Sequence, residues 1–380
     1  MLTCNGTTPV TIKTLHGKFP FALQRFSVDG VGASYFDLTD QLQEGYVSQR
    51  LKEFSAYYSN RMSYEEVERL IERLTGEKLL SDQKIWQIVV DKAVGVSEQL
   101  QQEVKSVLAE VKMPAINPRV AIYDPKQAEI LLLDDAIQVK GQKPTREALA
   151  TQESLTAPGS RVSTDVIMLE KADGGFHYLT AGIDEDGKQT VALEDAVRAK
   201  IAEEYGATHA VLNIVAITDG AKAIRSRLGA IFGMPITLIL DWYHLEKKVT
   251  EFMSMIASNK KEKELHLGFI FPQLWRGKVQ ESLHYLRTQV SARNAEKLKE
   301  LIGYLEKHQG EIIDYERRQK AGKSIGSGRM EKGVDQVIGY RQKKKGMSWS
   351  QKGSKALAIL KTVELNNHWE ELWFLDRKAA

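Results

Sequence analysis

The chain has 380 residues, 42% of them hydrophobic and 27% charged, the balance of a globular protein with room for two or three domains. A net charge of +3 does not by itself mark a nucleic-acid binder, and a single cysteine, Cys4, excludes internal disulfides and a four-cysteine zinc site. No apolar run approaches the roughly 18–20 residues that span a bilayer, and the start lacks the basic-then-apolar form of a secretion signal, so a cytoplasmic, non-membrane protein is expected.

Residues 1–47 form a segment of unclear fold, in which Phe19–Val28 (FPFALQRFSV) suits a strand. Residues 48–113 read as helical. Ser63 with Glu66 three positions on is a capping box, and Val67, Leu70, Ile71 and Leu74 follow at helical spacing until Gly76. Ser81 caps a second helix carrying Ile85, Ile88, Val89 and Val94, and Ser97–Val111 suits a further, connecting helix. Helix, glycine turn, helix is the form of a helix-turn-helix; Lys84 and Gln87, flanking Trp86, would then face DNA, whereas a plain helical hairpin would simply pack on another domain.

Pro114–Pro118 breaks the pattern and sets the expected boundary of a second domain, whose first part runs over 114–245. Glu129–Leu133 is an apolar strand ending at Asp134-Asp135, with Ile137 and Val139 beyond. Val162–Leu169 and Phe176–Ile183 form a hairpin about Asp173-Gly174-Gly175. Ala192–Tyr205 suits a helix, Ala210–Ile217 a buried strand stopping at Thr218-Asp219-Gly220, Lys222–Phe232 a helix, and Pro235–Leu240 a strand stopping at Asp241. This order matches a ribonuclease H-like α/β fold with a mixed sheet, in which acids at strand ends gather at one edge; open α/β sheets in general place their sites beyond strand ends. Residues 246–322 read as a helical insertion. Trp275, Arg276, Lys278, Arg317 and Arg318 give it either a DNA-facing side or an ordinary solvated face. Residues 323–380 complete the domain with a helix bearing Glu331 and the basic strip Arg341, Lys343, Lys344, Lys345, which closes on Trp349.

Cleaving a phosphodiester requires an attacking oxygen to be activated and a leaving oxygen stabilised, which hard divalent ions about 3.5–4 Å apart accomplish. Magnesium takes oxygen ligands and is held by a few carboxylates with water and phosphate. Asp135, Asp219 and Glu331, two at strand ends and one on a helix, supply such a set, with Asp134 the alternative to Asp135. Each also has a plain reading as a turn acid or a solvated helix acid. Asp241 and His244, three apart at a helix start, read either as a pair that shapes the site or positions DNA, or as a helix cap beside a half-buried histidine. The clustered cations at Arg341–Lys345 suit phosphates, and Trp349 suits either stacking on a base or the core. No GxxxxGK[ST] phosphate loop, HExxH motif or nucleophile elbow occurs, which disfavours a nucleotide-driven motor, a zinc protease and a serine hydrolase.

Four stretches, LLLDDAIQV (Leu131–Val139), AITDGAKAIR (Ala216–Arg225), LILDWYHLEKKV (Leu238–Val249) and IGSGRMEKGVDQVIGYRQKKKGMSWSQKGSKAL (Ile325–Leu357), resemble bacterial insertion-sequence transposases of the DDE class, in the ISKra-type group related to Mutator-like transposases through an Asp-x-x-His motif. The resemblance places the catalytic, metal-holding triad on Asp135, Asp219 and Glu331 and the Asp-x-x-His pair on Asp241 and His244. It implies Mg²⁺, with Mn²⁺ able to substitute, and no nucleotide cofactor. The implied partners are double-stranded DNA, as terminal inverted repeats and target, and further copies of the chain, in a cytoplasmic protein associated with the nucleoid. Such proteins are expected to carry a more cysteine-rich N-terminal region, so a shortened one is expected here. A structure-specific nuclease of the same fold and a domesticated, non-catalytic DNA-binding regulator are the alternatives.

Overall fold

The computed structural model describes residues 2–28, 31–34, 46–143, 161–207, 211–344 and 346–374. The chain opens with a long antiparallel hairpin, β1 (Leu2–Thr14) and β2 (Gly17–Val28), extended by β3 (Val31–Ser34). Gly17, at φ 110°, makes the tight reversal that a side chain would strain.

Three helices follow: α1 (Gln49–Ser59), α2 (Tyr64–Thr75) and α3 (Asp82–Glu110). The capping box at Ser63 and Glu66 forms, and Gly76 closes α2 in the left-handed conformation. Helix α3 runs unbroken for 29 residues, so the expected division near Val94–Ser97 does not occur. Ser97 does not begin a helix: its hydroxyl donates to the Ala93 carbonyl one turn back, at 2.8 Å, and accepts from the Ile183 amide at 3.0 Å. The apolar face of α3 is buried, with Ile85, Val89 and Ala93 fully enclosed.

The main sheet has five strands in the order β10-β9-β4-β5-β6. Strands β4 (Ile130–Lys140), β5 (Arg161–Glu170) and β6 (Phe176–Leu179) form an antiparallel meander. Strands β9 (Ile214–Thr218) and β10 (Thr237–Leu240) add to the other side of β4, parallel to it. A small hairpin, β7 (Gly182–Ile183) and β8 (Gln189–Val191), stands apart and packs on α3. Strand β4 does not end at Asp135 but continues to Lys140, because beyond β9 it still pairs with β5.

Alternate residues of β4 face two different layers. Leu132, with Ile167, Ile214 and Ala216, packs on α4 (Leu193–Tyr205) and α5 (Lys222–Phe232). Leu131, Leu133, Ile137 and Val139 join a larger cluster that runs from Val47 to Trp373. That cluster takes in α1–α3 together with the sheet, so one core spans Pro114–Pro118, where a domain boundary was expected.

Between β10 and the last sheet-covering helices lie α6 (Trp242–Ile256), α7 (Lys260–Trp275), α8 (Val279–Thr288), α9 (Ala295–His308) and α10 (Tyr315–Lys320), so this stretch is helical throughout its regular structure. Trp275 is half-buried and packs against Trp242 and Tyr315, and Arg318 is 0% exposed, so the Arg318 side chain does not face outward to DNA. Helix α11 (Gly328–Val334) runs through a π turn, Asp335–Gly339, into a last turn, Tyr340–Gln342. Helices α12 (Gln351–Leu365) and α13 (Trp369–Phe374) complete the described chain. Among the described residues no helix is long and apolar enough to cross a membrane.

Candidate functional site

Strand register brings the acids together. Leu133 pairs with Ile217 and Leu240 with Thr218, so Asp135, two residues on, comes level with Asp219, just past β9, and with Asp241, just past β10. The pleat puts Asp135 on the side of Leu131 and Leu133, and Asp134 on the opposite side. Asp135 and Asp219 are half-buried and Glu331 is exposed. Burial lifts the Asp135 carboxyl above its ordinary range, and the charges of Asp219 and Glu331 push it further the same way, against a hydrogen bond from the Ala136 amide and the pull of His244. The three carboxylates therefore share one field. Among the described residues none of the three pairs with a lysine or arginine, and no three histidine, cysteine, aspartate or glutamate side chains close into a ready metal cage.

Asp241 has a specific structural task. Its Oδ1 caps α6, accepting from the Tyr243 amide at 2.7 Å and the His244 amide at 3.2 Å. Its Oδ2 accepts from the Ser327 amide at 2.6 Å and from the Ser327 hydroxyl. Ser327 immediately precedes α11, so Asp241 ties the end of β10 to the start of the helix bearing Glu331. Gly326 permits the approach, since a Cβ there would stand 2.6 Å from the Tyr243 ring. The Asp241–His244 relation is thus a cap to the histidine's backbone. Ser327 was not singled out from sequence; its place in the Gly326-Ser327-Gly328 turn was the available signal.

Two further groups surround the acids. On the far face of β4, Asp134 is 3% exposed and bonds Arg227 of α5 at 2.6 Å, while Arg227 also reaches Asp165 at 2.8 Å. Behind Asp219, the Asp219-Gly220 turn is held by the end of α9. Asp219 accepts from the Ala221 amide at 2.7 Å, Gly220 sits at φ 79° where a Cβ would overlap the His308 ring, and Glu311 pairs with Arg225 at 2.7 Å. These contacts are spread over segments far apart in sequence, and no local pattern announces them.

The residues expected to face DNA divide. Arg341 is 4% exposed: its Nε donates to the Ser59 carbonyl at 2.7 Å, and its guanidinium lies 4.7 Å over the Trp349 ring. Trp349 is itself buried and donates to the Gln342 carbonyl at 3.0 Å, so neither offers itself to a duplex surface. Lys343 and Lys344 are exposed, and Lys345 lies outside the described residues. Lys84 and Gln87 are half-buried on α3, where Gln87 bonds Asp91. Because α3 is packed by α1, α2, α4 and α12, it is a core helix and not a free recognition helix.

The model of an uncharacterised protein family, UPF0236, matches residues 187–372, from the β7–β8 hairpin to α13. That span holds Asp219, Asp241, His244 and Glu331 but not Asp135. No curated protein matches the chain.

Proposed function

We propose that the protein is a DNA transposase of an insertion sequence, with a ribonuclease H-like core. It binds the terminal inverted repeats of its element and catalyses metal-dependent strand cleavage and strand transfer through Asp135, Asp219 and Glu331. The observation that carries this reading is the mutual charge of these three acids at one sheet edge, where among the described residues none of them pairs with a lysine or arginine and, of the charged groups, only His244 pulls against the repulsion on Asp135. Asp134, by contrast, has Arg227. The strand order, an antiparallel meander joined to two parallel strands, supports the fold assignment.

The donor set fits a hard divalent ion: oxygen ligands only, from separate elements, whose repulsion a cation would relieve. Mg²⁺ held by these residues would supply activation of the attacking oxygen and stabilisation of the leaving one. The chain's own contribution is placement. Strand β4 holds Asp135, the Gly220 turn holds Asp219, and Asp241 holds the start of the helix carrying Glu331. Pairing two DNA ends requires at least a dimer, acting in the cytoplasm at the nucleoid.

The test is cleavage of DNA carrying the genomic sequence that flanks the gene, with Mg²⁺ or Mn²⁺ and with Glu331→Gln as control. Nicking at the element ends that needs metal and disappears in the variant is the expected result. Equal, specific binding by both proteins without cleavage would make the protein a regulator instead.

A further inference from the structure

The strip around Arg341 and Trp349 does not form a duplex-facing surface, but it walls a cleft of about 470 Å³ between the α2–α3 hairpin and the start of α12. Three helix starts open onto this cleft: Ser63 and Tyr64 of α2, Asp82 and Gln83 of α3, and Ser350 and Gly353 of α12. Each helix start carries partial positive charge, although the Ser63, Asp82, Gln83 and Gly353 amides already donate to Glu66, Glu68, Asp82 and Ser350, so what remains for a ligand is the field of the helix ends and not these amides. Arg341 stands in the same wall, buried, with its Nε on the Ser59 carbonyl and its Nη1 on the Met347 sulfur at 3.1 Å. Among the described residues its Nη2 has no hydrogen-bond partner and no carboxylate lies within ion-pair distance. The Glu66 charge is felt there, but that carboxylate is taken by the Ser63 amide and hydroxyl. A buried guanidinium without a counter-ion is costly unless a ligand supplies one. Tyr64 adds a buried hydroxyl with no partner, which burial keeps protonated and able to donate. Trp86 and Trp349 give the cleft aromatic walls, and the Lys352 ammonium stands 5.4 Å over the Trp86 ring. Asp82 is the opposing charge, and its carboxylate accepts from the Gln83 amide at 2.7 Å.

We infer that this cleft is a phosphate-binding subsite that takes one unpaired nucleotide, its phosphate at Arg341 and the helix starts and its base against the partly exposed Trp86. The volume suits a single nucleotide and is too small for a duplex. That the phosphate belongs to DNA, and not to a free nucleotide, rests on the function proposed above.

Arg341→Gln would also break the bond to Ser59, so Gln83, exposed in the first turn of α3, carries the test. Gln83→Glu keeps the shape and suits a helix start, while Gln83→Lys reverses the charge. Binding is measured on the full chain in EDTA, so that loss of cleavage has no bearing on it. The probes are a labelled short oligothymidine, thymidine monophosphate and inorganic phosphate. The expected result is that Gln83→Glu weakens the oligonucleotide about threefold to tenfold, Gln83→Lys strengthens it, and phosphate competes. Binding of the monophosphate and phosphate without the oligonucleotide, with the same charge response, would support the phosphate site and remove its assignment to DNA. Affinities that ignore both substitutions would overturn the inference.

Discussion

Asp134 and Asp135 are neighbours with opposite fates, decided by the pleat alone. Asp134 turns to the α4–α5 layer, where burial pushes its carboxyl up to about 7 against the pull of Arg227. Asp135 turns to the side of Asp219 and Asp241. The sequence could not choose between two adjacent acids until the strand's face was known. Asp241 shows a different kind of residue, one that acts through another. Asp241→Asn keeps an acceptor for the α6 cap but presents an amide to the two Ser327 donors. The expected cost is about 1–3 kcal/mol in urea denaturation. Ser327→Ala should cost about 1 kcal/mol and slow any metal-dependent cleavage without abolishing it.

At the level of elements, the segments with strong local signals were legible. The Ser63 capping box, the glycine stop at Gly76, the helix over Lys222–Phe232 and the hairpin about Asp173-Gly174-Gly175 all form where their chemistry places them. What misled were residues whose local meaning is overridden by tertiary partners. Ser97, the expected start of a separate helix, satisfies its hydroxyl within α3 and on Ile183, and the Arg341 charge lies under Trp349 and Tyr64. The contact of the β5–β6 hairpin with α4 gives a pH-dependent test. His177 lies 3.1 Å from Glu204, and burial, only partly offset by that bond, lowers its pKa. The folded protein therefore binds fewer protons there than the unfolded chain, so this contribution is complete above the unfolded value of about 6.5 and is lost as pH falls below it. Urea denaturation at pH 7.5 and 5 should show a smaller acid-induced loss for His177→Gln than for the parent protein.

Across the whole molecule, a fully buried arginine joins the insertion to the sheet. Arg318 of α10 pairs with Glu129 just before β4 and donates to the Ser324 carbonyl at 2.6 Å and the Ile122 carbonyl at 3.0 Å. Lys323 shares Glu129 at 3.1 Å. The arrangement fixes the entry to β4, the end of the insertion and the approach to α11 at one point, and nothing local in the sequence distinguished Arg318 from the surface cations beside it. Arg318→Met should cost about 3–5 kcal/mol, by removing one of the two cations on Glu129 and leaving the Ser324 and Ile122 carbonyls without their donor. Adding Glu129→Gln should recover part of that loss, a coupling readable in a double-mutant cycle by denaturant unfolding.

The π turn at Asp335–Gly339 fits one residue more into the helical path than a regular helix would use. It thus sets the rotational phase between the two ends of that path, Glu331 toward the acidic edge and Arg341 toward the cleft. Winding the same residues as a regular helix would swing Arg341 about 100° about the axis relative to Glu331, whereas deleting a single residue there would restore a regular helix with the two ends nearly in their present phase. The extra residue acts as a phase adjuster, allowing one rod to address two differently oriented faces at once.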